Sequence, residues 1–351
     1  MSIIRNIIII YRKFQYKVFK RFELGVMPKG QVCTHTPFEE EINHGDVVHP
    51  CVRYIPEGYL GHKWWMVYTP YYAANETTEN PILCYGDSDS SEAPTHWVVV
   101  YQVQVQPEAG YNSDPTLFYE DGRMYVMWRE NLTNRCSKAG YVRATFGAEV
   151  LEGSIGEVFG PLVGTKDFEE DAEVSPTFIK EKGGKYRCYA MHLRFHSHWI
   201  LQLNPFLKKI MNTIFNITDI LGIWSQQKGY GYAIWESDDI TKPFVYKETL
   251  RFLNCNKLYR PWHMDLFECN ESLYAIVQTN QCNADICLAK SDDGINFRMY
   301  DNPLMTNKTC GMLGIYKPTG VFVDGNFILY YTAQDIENRN INKLYLTSVS
   351  L

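Results

Sequence analysis

The sequence predicts an all-β chain folded as a five-bladed β-propeller, with an N-terminal amphipathic helix and a helical insertion in the third blade. The first observation behind this is a repeated strand start: His49-Pro50-Cys51-Val52, Asp114-Pro115-Thr116-Leu117, Ser175-Pro176-Thr177-Phe178 and Lys317-Pro318-Thr319-Gly320, with a proline-free copy at His263-Met264-Asp265-Leu266. The second is that each start is followed by two more short apolar runs, giving a unit of roughly 55 to 65 residues. This is the period of blades that cannot bury both sheet faces alone. The third is composition: 15% aromatic residues, 25 of them Tyr, suit twisted, half-buried strands.

The elements follow in order. The second strands are expected at Trp64–Tyr68, Met124–Trp128, Tyr186–Ala190, Leu273–Val277 and Phe327–Tyr331. The third are expected at Ile82–Tyr85, Tyr141–Thr145, Tyr232–Trp235, Ile286–Ala289 and Leu344–Thr347. The last unit ends on its third strand, so the segment around 31–48 is expected to supply the missing strand and close the ring, which also removes an exposed sheet edge. Residues 1–30 form a separate basic segment before the propeller of 31–351. Within 1–25, Ile3, Ile4, Ile7, Ile8, Tyr11 and Phe14 follow helical spacing among Arg5, Arg12, Lys13 and Lys17. Such a helix either lies on an anionic membrane surface or packs on the propeller or a second copy. Its apolar run is too short to span a bilayer or to form an ordinary signal-peptide core. The insertion at about 196–229 carries a second helical stripe, Phe206, Leu207, Ile210, Met211, Ile214 and Phe215, after Asn204 and Pro205 as cap and first turn.

Composition excludes some functions. A formal charge of -6 gives no electrostatic case for nucleic-acid binding. Ten cysteines without CxxC spacing read as buried thiols of a reducing compartment, which places the protein in the cytoplasm, with peripheral contact to the inner membrane through 1–25 as the extension of that reading. His192, His196 and His198 lack an acidic partner at ligand spacing, so no metal is assigned to them.

In a propeller, inner-strand starts and second-strand ends converge on one face of the axis. The inner ring is therefore expected to be His49, Asp114, Ser175, His263 and Lys317, with Asp265 beside it and Glu79, Arg129, Glu130, Glu173, His192 and Trp262 on the same face. Acids, imidazoles and cations beside aromatic rings suit a polar ligand such as an oligosaccharide or polysaccharide. Glycosidic cleavage needs one protonated and one ionised carboxyl group.

The five-unit layout, Asp-Pro at 114–115, Ser-Asp-Asp-Gly at 291–294 and Glu-Ser-Asp-Asp at 236–239 resemble the five-bladed propeller glycosidases. These comprise glycoside hydrolase family 43, the fructan-active group and the mannoside phosphorylases. The resemblance covers residues 45–351 and implies a carbohydrate-active enzyme, a glycoside hydrolase by default, with no cofactor beyond the divalent cation that some relatives hold at the axis. It implies Asp114 and Glu173 as principal carboxylates; Glu79, Glu130 and Asp265 are the alternatives for a further catalytic acid, and the convergence of the strand starts makes His49, Glu79, Arg129, His192, Trp262, His263 and Lys317 the expected substrate-binding groups. His49 departs from the pattern, standing where those enzymes carry aspartate. Two other readings remain beside hydrolysis: glycosyl transfer or polysaccharide assembly at the inner membrane face, and glycan binding without turnover.

Overall fold

The computed structural model describes residues 27, 29–35, 46–72, 75–108, 110–132, 142–165, 171–194, 207, 230–253, 261–269, 271–279, 285–300, 303–307, 309–334 and 341–350. The expected helices of 1–25 and 196–229 lie outside these residues, Leu207 apart. Among the described residues, helix is found at Leu207 and in short turns such as Glu76–Thr78, and no helix is long and apolar enough to cross a membrane.

Five antiparallel-cored sheets form five blades. Their inner strands are Val47–Tyr59, Gly110–Glu120, Asp171–Lys180, Pro261–Cys269 and Gly314–Val323, each paired with the next strand of its own blade. Ring closure follows the expected route. Gln31–Val32 pairs antiparallel with Asn342–Ser350 of the last blade, Gln31 opposite Leu346, and Thr34–His35 then joins the first blade beside His96–Gln102. One short segment thus stitches the first blade to the last.

The second strands read as continuous apolar runs because both faces of each sheet are covered. In the first blade Trp64, Met66 and Tyr68 pack with Ile328 and Tyr330 of the fifth. Trp65 and Val67, on the opposite face by strand alternation, pack with Val126 and Trp128 of the second. Each of these fully buried large side chains contributes about 2 to 3 kcal/mol relative to exposure. The Asp-Gly turn at 293–294 is a hairpin feature. Gly294 takes a φ of 69°, and the Asp293 carboxylate accepts from the backbone N–H groups of Ile295 (2.8 Å) and Asn296 (2.7 Å).

The prolines explain how the fold aims side chains at the axis. Proline has no N–H for the ladder, so the inner strands slip register at Val48/Cys51, Ser113/Thr116, Val174/Thr177 and Tyr316/Thr319. At three of these bulges the pre-proline residue is driven to positive φ: His49 at 55°, Asp114 at 48° and Ser175 at 53°. A non-glycine residue held there costs on the order of 1–3 kcal/mol, and such outliers concentrate at functional sites. The fourth blade lacks the proline, and its slip falls one residue earlier, leaving Trp262 out of the ladder while His263 pairs with Gln278.

Candidate active site

The five strand starts meet at the axis with Asp114 at their centre. The Asp114 Oδ2 pairs with Arg129 at 2.9 Å. Its Oδ1 accepts from the Ser175 hydroxyl at 3.1 Å and lies 3.5 Å from His49 Nε2, 3.8 Å from His263 Nδ1 and 3.8 Å from Lys317 Nζ. Ser175 Oγ is also hydrogen-bonded to His263 Nδ1. Arg129 is steadied by Ser113 Oγ at 2.9 Å, which accepts from Asn131 as well. Every member of this ring is buried.

Burial opposes ionisation of Asp114, yet Arg129, His49, Lys317 and His263 together hold its carboxyl well below the usual range. Glu79 behaves in the opposite sense, its burial pushing the carboxyl up against the opposing pull of His49. Burial also drives His263 well below the ordinary imidazole value, against the attraction of Asp114, and lowers Lys317. The site therefore holds one strongly ionised carboxylate and one carboxyl biased toward its protonated form, the division of labour that acid–base chemistry uses.

His49 links the two acids. Its Nδ1 lies 3.0 Å from Glu79 Oε2 and 3.1 Å from Thr69 Oγ1, and its Nε2 lies 3.2 Å from Tyr316 OH. The Tyr316 ring stands against both imidazoles, with centroids 5.3 Å from His49 and 4.6 Å from His263. The half-buried Trp262 ring meets His263 edge-on at 5.8 Å.

Two residues further along each inner strand, Cys51, Thr116, Thr177, Asp265 and Thr319 form a buried second layer beneath the ring. Asp265 is its anchor. Its Oδ1 accepts from Arg53 (2.9 Å), Thr177 (3.2 Å) and the Leu266 N–H (2.9 Å), and its Oδ2 from Arg53 (3.0 Å) and Thr319 (2.6 Å). Burial raises the carboxyl, but Arg53 and these donors bring it below its ordinary value. This layer floors the site. On its other side a separate cavity of about 650 Å³ opens between Tyr54, Tyr119, Phe322 and Lys180.

The ring gathers His49, Glu79, Asp114, Arg129, His263 and Lys317, with Trp262 alongside. Two of the four expected catalytic carboxylates take other places. Asp265 is saturated in the floor, and Glu130 lies on the face of its strand opposite Arg129, which pairs with Asp114 rather than with its neighbour. Glu173 and His192 face each other in register across the third blade, while their side chains lie outside the described residues. Tyr316, Ser113 and Arg53 are site or floor residues that the sequence reading did not single out. Tyr316 and Ser113 directly precede ring residues, the one signal that could have found them.

His49, Asp114 and His263 each bring a ligand atom within 4.8 Å of the others. Two imidazoles and a carboxylate are a donor set for a divalent transition metal. The set fits such an ion in donor type, while the Lys317 ammonium lies 3.8 Å from the same Asp114 oxygen. Among the described residues, the buried His263 Nε2 has no hydrogen-bond partner.

The fold has known counterparts. An N-acetylgalactosamine deacetylase from F. plautii, solved with blood group B trisaccharide, superposes with a TM-score of 0.69 at 16% identity, over 93% of this chain and 96% of that one. The xylan beta-1,4-xylosidase of Bacillus halodurans C-125 matches with a TM-score of 0.60 at 12% identity, over 94% of this chain and 55% of that one. A GH43 beta-xylosidase/alpha-arabinofuranosidase from a compost microbial metagenome, in complex with xylotriose, matches with a TM-score of 0.53 at 14% identity, over 92% of this chain and 95% of that one. No protein-family model and no curated protein matches the sequence. The chain carries the five-bladed propeller shared by glycoside hydrolase family 43 enzymes and their structural relatives.

Proposed function

We propose that the protein is a hydrolase of carbohydrate substrates working at the axial ring, and that the bond it cleaves is glycosidic. The observation that carries this reading is Asp114, a buried carboxylate paired with Arg129 at 2.9 Å and lying 3.8 Å from the Lys317 ammonium, at the point where all five blades converge. Maintaining a charge there is expensive, and reaction at an oxocarbenium-like centre uses it. Glu173, two residues before Ser175 in the sequence, is the proposed proton donor. Arg129, Lys317, His263 and the Trp262 ring bind hydroxyl groups and a sugar face. Fold likeness leaves substrate open, so the site's chemistry must decide it.

A specific observation favours a second reading, removal of an acyl group from an N-acylated sugar. The F. plautii deacetylase matches over nearly its whole length, and the two-imidazole, one-carboxylate set suits a divalent cation held by His49, Asp114 and His263. Such an ion supplies a Lewis acid for a carbonyl and a more acidic bound water. One experiment separates the readings: a panel of aryl glycosides and N-acetylated aminosugars, assayed with chelator and with added divalent cation. Release of aglycone that survives chelation and disappears in Asp114→Asn supports glycosidic hydrolysis. Cation-dependent acetate release supports the second reading, and no product from either class in either condition overturns both.

A further inference from the structure

We infer that the cavity on the far side of the floor from the axial ring is a second binding site, and that it takes an organic cation of the alkylammonium class. It is separate from the chemistry proposed above, because the buried layer of Cys51, Thr116, Thr177, Asp265 and Thr319 lies between the two. All five inner strands reach it, through residues 53–56, 118–120, 178–180, 266–268 and 320–324. Its volume of about 650 Å³ is that of a small-ligand pocket.

Two features set the ligand's chemistry. The first is aromatic surface: Tyr54, Tyr119 and Phe322 come from three blades, each packs partly on a different core cluster, and each also lines the cavity. Tyr54 is backed by Trp64 at 4.7 Å between ring centroids and Tyr119 by Tyr59 at 5.9 Å, so these walls are held in place. The second is an imbalance of charge. Both cations of the cavity are already answered. Arg53 donates to both oxygens of Asp265 (2.9 and 3.0 Å) and to the carbonyls of Val52 (2.8 Å) and Leu117 (3.1 Å). Lys180 pairs with Glu120, whose other oxygen accepts from the Tyr186 hydroxyl at 2.7 Å. The carboxylates of Glu268 and Asp324, both exposed residues of the cavity wall, have no partner among the described residues. A neutral sugar gains nothing from these two charges, and an anion is repelled by them. An ammonium group carrying methyl or methylene surface answers both features, its charge facing the carboxylates and a ring face, its hydrocarbon lying on the aromatic wall.

The test is calorimetric titration of the full chain with choline, and with the uncharged alcohol in which carbon replaces the ammonium nitrogen. Choline should bind saturably to the wild type, and the alcohol about tenfold more weakly, since only the charge differs. The double variant Glu268→Gln with Asp324→Asn should weaken choline about fivefold. Its melting temperature should not change, because both carboxylates are exposed and unpaired in the free protein. A crystal soaked in choline should show it against Tyr54, Tyr119 or Phe322. Absence of saturable binding overturns the inference, as does equal binding of the alcohol, undiminished binding in the double variant, or choline found outside the cavity. Glucose taken into the cavity where choline is refused overturns it too. None of these readouts depends on turnover at the axial ring.

Discussion

Replacing Asp265 by Asn separates a floor residue from a catalytic one, and the structure sets the size of the effect. The carboxylate takes three donors on Oδ1 and two on Oδ2, with Arg53 on both. An amide can keep only one of those oxygens. With its NH₂ on the Oδ2 side it meets Arg53 donor to donor; with its NH₂ on the Oδ1 side it meets both Arg53 and the Leu266 N–H. Removing one partner of a buried ion pair costs about 3–5 kcal/mol, since the other charge stays buried without compensation. At about 2.1 cal/mol/K of unfolding entropy per residue over 351 residues, the melting temperature should fall by roughly 4–7 °C.

The carboxyl titrates below its ordinary value in the folded state, so its stabilisation is fully present above the unfolded carboxylate pKa of about 3.9. That stabilisation is lost only as pH falls through the lowered folded value. The deficit of Asp265→Asn should therefore be constant from about pH 5 upward. Thermal melts across pH measure it, and the double variant Arg53→Met with Asp265→Leu should recover most of the loss. A variant that melts within about 1 °C of the wild type but has lost turnover would refute the floor assignment and return Asp265 to the chemistry.

Two further outcomes follow from the same reasoning. Asp114→Asn abolishes turnover and also destabilises the fold by about 3–5 kcal/mol, because Arg129 and Lys317 remain buried without their counter-charge; paired activity assays and urea melts check both parts. Asp46, whose burial raises its carboxyl to about 6, favours the protonated form when folded, so its ionisation weakens the fold as pH climbs from near 4 through 6. Asp46→Asn should therefore melt higher than the wild type at about pH 7, with the gain vanishing toward pH 4; a gain independent of pH would contradict the assignment.

The ring was legible because proline marks it. His49, Asp114, Ser175 and Lys317 each precede a proline, and the loss of one ladder N–H both bends the strand and turns the preceding side chain to the axis. His263 was legible by its place in the repeat, although its blade bulges at Trp262 instead. What was not legible depends on side-chain reach and strand phase. Glu130 follows Arg129 by one residue, and a single step along a strand moves a side chain to the other face. Asp265 stands two residues past its ring position, in phase with the axis but one layer deeper, and only the reach of Arg53 from the opposite face shows why it is there. Tyr316 carries no motif; its role appears when its hydroxyl is found beside His49 Nε2.

The most direct test of the account is a crystal structure of the wild-type protein soaked with a mixture of short oligosaccharides. The account predicts a sugar over the axial ring, its hydroxyl groups within hydrogen-bond reach of Arg129 or Lys317 and its reacting carbon facing Asp114. A sugar bound elsewhere on the propeller with the axial ring left empty would contradict it.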